Sequence, residues 1–198
     1  SPQGPSLALD TCGACHSRRS ELQEPSGTEP YHQQFQLEGL NEPLYFSDGQ
    51  IREEVFVLGS FLQSKMAEAG VTCTNCHDPH TGKTLLPGAQ VCGTCHAPTV
   101  FAAPEHTNGH EGADCLDCHM PERVYMGVDA RRDHRFHRPS PKHPNSSSPC
   151  KTCHEDASEG WLTNALKAWP KRQGASPDPL GDWAALNHRL SALDTTAM

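Results

Sequence analysis

The ten cysteines of this 198-residue chain form five pairs of one spacing, and each pair is followed directly by a histidine. The sets are Cys12/Cys15/His16, Cys73/Cys76/His77, Cys92/Cys95/His96, Cys115/Cys118/His119 and Cys150/Cys153/His154, with no cysteine left over. Cys-x-x-Cys-His is the attachment signature of c-type haem. The two thiols bond to the porphyrin edge, and the adjacent histidine meets the iron as proximal ligand. Zinc sites space their histidines differently, and a disulfide framework gives no reason for a histidine after every pair. The expected cofactors are therefore five covalently attached haem c groups, each with its iron. An iron that only carries electrons needs a second axial ligand. Eight histidines lie outside the motifs: His32, His80, His106, His110, His134, His137, His143 and His188.

The remaining chain must position these groups with little core of its own. Apolar residues make up 35% of it and aromatics 6%, against 17 prolines and 16 glycines. That composition buries a thin core unless flat apolar porphyrins supply the rest. The expected fold is mostly irregular with some α structure: a haem-cored multihaem cytochrome c with few short helices and little or no sheet. A formal net charge of −8, before any propionates, excludes the basic face that nucleic acid would need. It fits redox proteins or extracellular electron acceptors as partners. No apolar run reaches the length of a membrane span. Haem attachment of this kind happens outside the cytoplasm, so a periplasmic or extracellular location is expected. The chain itself is then expected to be a mature form or a fragment of a longer precursor.

Residues 1–10 read as a loose, proline-containing lead-in, and 17–46 as polar and turn-rich. Over 47–70 the spacing of Ile51, Val55, Leu58, Leu62 and Met66 predicts a helix, opened by a Ser47-x-x-Gln50 capping box and stopped at Gly70. A short strand over Val55–Leu58 is the alternative. Only 14 residues separate His77 from Cys92, and 18 separate His96 from Cys115, so no independent domain fits between haems. A Pro/Ser linker over 139–149, with a formal sequon at Asn145, leads to the fifth motif. The expected division is a pentahaem electron-transfer domain over 1–158 and a helical tail over 159–198. In the tail, Trp161, Leu162, Ala165, Leu166 and Trp169 share one face, stopped by Pro170. Trp183, Leu186, Leu190 and Leu193 share another. Two exposed tryptophan faces are unusual on a monomer; the alternative is that they fold back onto the haem region.

Several segments carry a resemblance. They are Asp48-Gly-Gln-Ile51, Gly59-Ser-Phe-Leu-Gln-Ser-Lys-Met66, Gly70-Val-Thr-Cys-Thr-Asn-Cys-His-Asp-Pro-His80, Val91–His96, Cys115–Pro121 and Tyr125-Met-Gly-Val-Asp-Ala-Arg-Arg-Asp-His134. Over about residues 12–169 the chain resembles a group of secreted multihaem c-type cytochromes. Some members of that group carry further haem motifs upstream and tetratricopeptide repeats downstream. The resemblance implies that His32, His80, His106 and His134 are distal ligands. It also favours Arg131 and Arg132 as partners of haem propionates over a solvated basic patch. The chain departs from related cytochromes at Met66, where a distal histidine often stands. A thioether can ligate iron and raise the haem potential; a methionine filling its helix stripe is the plainer reading. The rival fifth ligands are His110, His143, His137 and His188, in that order.

The leading expectation is electron transfer along five closely spaced haems in extracytoplasmic respiration, with no enzymatic activity. Spare histidines outnumber irons, and the Cys-x-x-Cys-Lys variant that marks a catalytic haem in nitrite reductases is absent. The alternative is a nitrite- or hydroxylamine-type reductase with one open iron. A third expectation is a homo-polymer, an extracellular cytochrome filament with haem contacts between protomers.

Overall fold

Cys(i), Cys(i+3) and His(i+4) lie on one side of a helical turn, because side chains three and four apart are neighbours there. Every motif adopts such a turn. The histidine N–H donates to the carbonyl of the first cysteine in motifs one, two, three and five, at 2.9 Å (His16), 2.8 Å (His77), 2.9 Å (His96) and 2.8 Å (His154). The fourth motif is itself a helix, Cys115–His119. A computed structural model of the chain describes residues 5–26, 29–139 and 148–169.

In chain order the elements are α1 (Pro5–Gly13), β1 (Arg19–Glu21), α2 (Tyr31–Gln34), β2 (Phe35–Leu37), α3 (Leu58–Phe61) and α4 (Lys65–Glu68). They continue with α5 (Pro98–Phe101), α6 (Pro104–Thr107), α7 (Cys115–His119), β3 (Glu122–Tyr125), β4 (Asp129–Arg132) and α8 (Glu159–Ala168). Three 3₁₀ turns, Cys73–Asn75, Gly88–Thr94 and Pro149–Thr152, carry cysteines of motifs two, three and five. Two antiparallel pairs form the sheet content: β1–β2, with Ser20 opposite Gln36, and β3–β4, with Arg123 opposite Arg131. This is the expected fold class, with the little sheet that was allowed for. The lead-in expected to be loose is helical from Pro5 onward.

The protein's own core lies in two adjoining clusters. One is Leu40, Tyr45, Ile51, Val55 and Tyr125, with Leu44 against it. The other is Tyr31, Phe35 and Leu58, flanked by Leu9, Ala14 and Leu37. The Tyr31 hydroxyl hydrogen-bonds Ser17 at 2.7 Å, so the phenol is buried with a partner. From Cys73 to Met120, by contrast, no residue is buried.

The single helix expected over 47–70 does not form. Phe56 has φ +59°, a left-handed conformation that no α-helix contains. A bridge between Ser17 and Phe56 spans that position. The capping box at Ser47 is replaced by Asp48, whose carboxylate accepts from the Gln50 N–H at 3.0 Å and the Gln50 amide at 2.7 Å. Only two short turns remain, α3 and α4, the latter opened by Ser64, whose Oγ accepts from the Ala67 N–H at 3.0 Å. Tertiary packing here overrides a local period that was correctly read. The expected second tail helix on Trp183, Leu186, Leu190 and Leu193, most of the 139–149 linker and its Asn145 sequon lie outside the described residues.

Candidate haem-iron sites

The motifs stand in space in the order they take in the sequence. α1 packs on the turn at Cys73–Asn75, the Gly88–Thr94 turn packs on α7, and α7 packs on the Pro149–Thr152 turn. Burial pushes the Cys73 thiol up, with Cys12 beside it; Cys76 feels Cys95, Cys92 feels Cys115 and Cys76, and Cys118 feels Cys150 and Cys153. All ten thiols are free of disulfides, as porphyrin attachment requires.

The thiols differ in cover. Cys15, expected as the second attachment thiol of the first motif, is exposed, as are Cys95, Cys115 and Cys153; the other six are partly covered. The Cys15 N–H donates to the Cys12 carbonyl at 3.2 Å, so the turn places Cys15 correctly relative to Cys12. Cys12, by contrast, lies against Cys73. The polypeptide supplies the turn; a porphyrin bonded at these thiols would supply their cover.

Three proximal histidines face a second imidazole. His77 and His134 have ring centroids 6.3 Å apart at 29°. His106 and His119 are 5.8 Å apart at 21°. His110 and His154 are 6.1 Å apart at 86°. An iron bonded to two imidazole nitrogens at about 2 Å each holds the ring centroids about 6 Å apart. These residues therefore fit bis-histidine haem sites for motifs two, four and five. His134, His106 and His110 would be the distal ligands there, and the group they hold would supply one-electron redox chemistry.

Local structure aims these rings. The Nδ1–H of His134 donates to the Arg132 carbonyl at 2.9 Å, that of His110 to the Thr107 carbonyl at 2.8 Å, and that of His119 to the His137 carbonyl at 3.0 Å. A carbonyl only accepts, so the proton sits on Nδ1 and the Nε2 lone pair is left for a metal. Burial lowers the pKa of His119 and His134, which favours the neutral, ligating ring. His134 follows Asp133, a buried carboxylate that accepts from the Ser60 hydroxyl and, at 2.9 Å, from the Arg135 N–H. His106 and His110 are separated by Asn108 (φ +51°) and Gly109 (φ +77°), a left-handed pair that reverses the chain. That reversal turns two histidines four residues apart toward different partners, His119 and His154.

The other expected ligands are placed as follows. His32 is exposed on α2, which packs against α1 beside the first motif. His80 is exposed, its N–H bound to Asp78 at 2.8 Å. Met66 is partly buried on α4. Among the described residues no second imidazole is stacked on His16 or His96; His143 and His188 lie outside them. His137 lends its carbonyl to His119. Arg131, expected at a haem propionate, meets Glu54 at 2.5 Å and Asp129 at 2.5 Å. Arg132 donates to the Met120 carbonyl at 3.1 Å and lies 3.7 Å from Glu122.

Sequence reasoning missed the three orienting carbonyls, because a backbone acceptor leaves no mark on residue type. The alternative that the first tryptophan face folds back onto the haem motifs holds, although the rings it touches were not foreseen. Trp161 lies 4.8 Å from His154, and Trp169 lies 5.8 Å from His110.

Two family models match parts of the chain: Cytochrome c552 over residues 99–183 and a doubled CXXCH motif over 65–101. A solved structure, the outer cell wall cytochrome OcwA, is similar with a TM-score of 0.55 at 18% identity, covering 80% of this chain and 51% of that one. The chain thus spans about half the length of that cytochrome. No curated protein matches it. Among the described residues no helix is long and apolar enough to cross a membrane. The Cytochrome c552 family is a nitrite reductase family, and its match overturns the expectation that the chain is not an enzyme. The physical flaw in that expectation was to count spare histidines: a count does not fill the distal face of each iron, and two of the five proximal rings lack a stacked imidazole among the described residues. Together the five motifs, the paired rings and these matches support a multihaem c-type cytochrome.

Proposed function

We propose that the chain carries electrons along five covalently attached haems, outside the cytoplasm, between redox proteins or to extracellular acceptors. The observation that carries this is the order of the motifs: each attachment site stands beside the next along the whole row, which keeps neighbouring porphyrins close. The surrounding protein supplies spacing, axial ligands and electrostatics, and the cofactor supplies the redox chemistry. The distal set is His134, His106 and His110 for the haems of His77, His119 and His154. His32 and His80 serve the irons of His16 and His96. His110 then fills the place for which Met66 was the first candidate, and Met66 becomes a packing residue.

The test is spectroscopic. Mass spectrometry should find five haem additions and no alkylatable thiol, exposed Cys15 included, and the oxidised protein should be low-spin at nearly all of its iron. Fewer additions, or a thiol that reacts, would end the five-haem reading.

A second reading, favoured by the Cytochrome c552 match, is a nitrite-type reductase in which one iron keeps an exchangeable position. The haem of His16 or of His96 is its candidate seat. A substantial high-spin fraction at neutral pH, together with nitrite-dependent oxidation of the reduced protein, would establish it. The finer form of the first reading is a filament in which the haem row continues across protomers. Electron micrographs of the native preparation distinguish filaments from discrete particles.

A further inference from the structure

Two of the three imidazole pairs are close to parallel, at 29° and 21°, and the third, His110 with His154, is nearly perpendicular at 86°. The difference has a visible cause in α8. Its capping residue Ser158 accepts from the Trp161 N–H at 3.1 Å, and Leu162, 2% exposed, anchors the helix. Trp161, Ala165 and Trp169 lie four apart along one face. Pro170 disfavours helical backbone in the residue before it. Trp169 accordingly ends the helix at φ −59°, ψ 132°. Its indole lies parallel to the His110 ring, 8° between planes and 5.8 Å between centroids. Its Nε1–H donates to the His106 carbonyl at 3.2 Å. At the other end of the same face Trp161 rests on His154 at 4.8 Å. One helix thus touches both axial ligands of the fifth site and the backbone of the fourth site's distal ligand.

We propose that Trp169 is a positioning residue that fixes the plane of His110, and so imposes a near-perpendicular axial pair on the fifth haem alone among the three pairs. The inference rests on the reading of His110 as that haem's distal ligand. The Thr107 carbonyl holds one edge of the ring but leaves it free to rotate about the Nδ1–H···O direction. The indole face removes that freedom, and the bond to the His106 carbonyl prevents the indole itself from swinging away. The consequence is electronic. Parallel imidazole planes separate the two iron d orbitals that they overlap, whereas perpendicular planes leave those orbitals nearly equal in energy. The oxidised low-spin signal of such an iron becomes highly anisotropic.

The experiment uses the full haem-loaded chain as wild type, Trp169→Leu, Trp169→Phe and His110→Ala, with haem additions counted by mass spectrometry. Electron paramagnetic resonance of the oxidised proteins is the readout, together with carbon monoxide binding to the reduced ones. His110→Ala should remove one highly anisotropic population and open one haem of the five to carbon monoxide. Trp169→Leu should move that same population to the rhombic type or to high spin. Trp169→Phe, which restores a ring face, should largely return it. If His110→Ala removes the population and Trp169→Leu leaves it unchanged, the proposal is overturned while His110 stands as a ligand. If His110→Ala changes nothing, the ligand reading fails and takes this inference with it. Should Trp169→Leu fail to load its haems, rescue by Trp169→Phe supports the ring's role. Equal failure of both overturns it.

Discussion

Two stretches of this molecule are built on different principles. Residues 31–64, joined by Tyr125 and the buried Asp133 and Arg135, have a core of their own: Tyr45 and Val55 are each 1% exposed. Residues 73–120 hold three complete motifs and at least one histidine of every ring pair described above, yet none of them is buried. Leu85, Leu86 and Val100 are among the large apolar side chains exposed there. A polypeptide does not leave such a length uncovered at no cost, since each buried apolar side chain gains roughly 1.5–3 kcal/mol. The difference teaches that one chain draws on two sources of hydrophobic cover, its own side chains at one end and its cofactors at the other.

Withholding the haems should break the comparison most forcefully. A chain made without the attachment machinery should show rapid amide exchange throughout 73–120 and measurable protection around Leu40, Tyr45, Ile51 and Val55. Equal protection in both stretches would mean that 73–120 has a core of another kind. Within the protein-cored stretch, Ile51→Ala should cost about 2–5 kcal/mol, the usual range for emptying a buried aliphatic site, read as a lower thermal midpoint of the loaded protein. Gly59→Ala should cost about 1–3 kcal/mol by overpacking, because a Cβ at Gly59 meets the hydroxyl of buried Tyr45. A midpoint within error of wild type would show that the tyrosine can move aside. His80→Ala, at an exposed side chain, should empty no packed site and yet turn one haem high-spin with all attachments intact. His80 lies three residues after His77, with Pro79 between, and cannot easily reach the far face of its own haem; the iron affected should be a neighbour's. Unchanged spectra would remove His80 from the ligand set.

How much of this was legible in the sequence depends on how local the determinant is. The motif turns were legible in full, because the spacing that attaches a haem is also the spacing of a helical face. The cover over each thiol was not, since Cys12 and Cys15 share a motif and differ in exposure. His134 and His106 were reached through a resemblance, and His110 stood first among the rivals to Met66. None of the three pairings could be read from spacing, since 56 residues separate His77 from His134. The helix over 47–70 failed for the opposite reason: the period was present, but Phe56 adopts a left-handed conformation and Asp48 captures Gln50. Arg131 was assigned to propionates through the resemblance, and its carboxylate partner Glu54 is distant in sequence. The enzyme question was misjudged because residue counts say nothing about which iron faces remain open.

The ring pairs have a topological consequence as well. On the proposed ligation, two histidines that share one metal would act as a cross-link, and each such link would close a loop: 57 residues from His77 to His134, 13 from His106 to His119, 44 from His110 to His154. The first loop encloses the second, and the third starts inside both and leaves them. By the chain-entropy relation for cross-links, loops of this size each remove about 3–5 kcal/mol of disorder from the unfolded ensemble. Overlapping loops cannot open independently, because loosening one lengthens another. On that ligation the stretch with no buried residue would also be the most heavily laced, and its rigidity should depend on the metal bonds more than on the side chains around them.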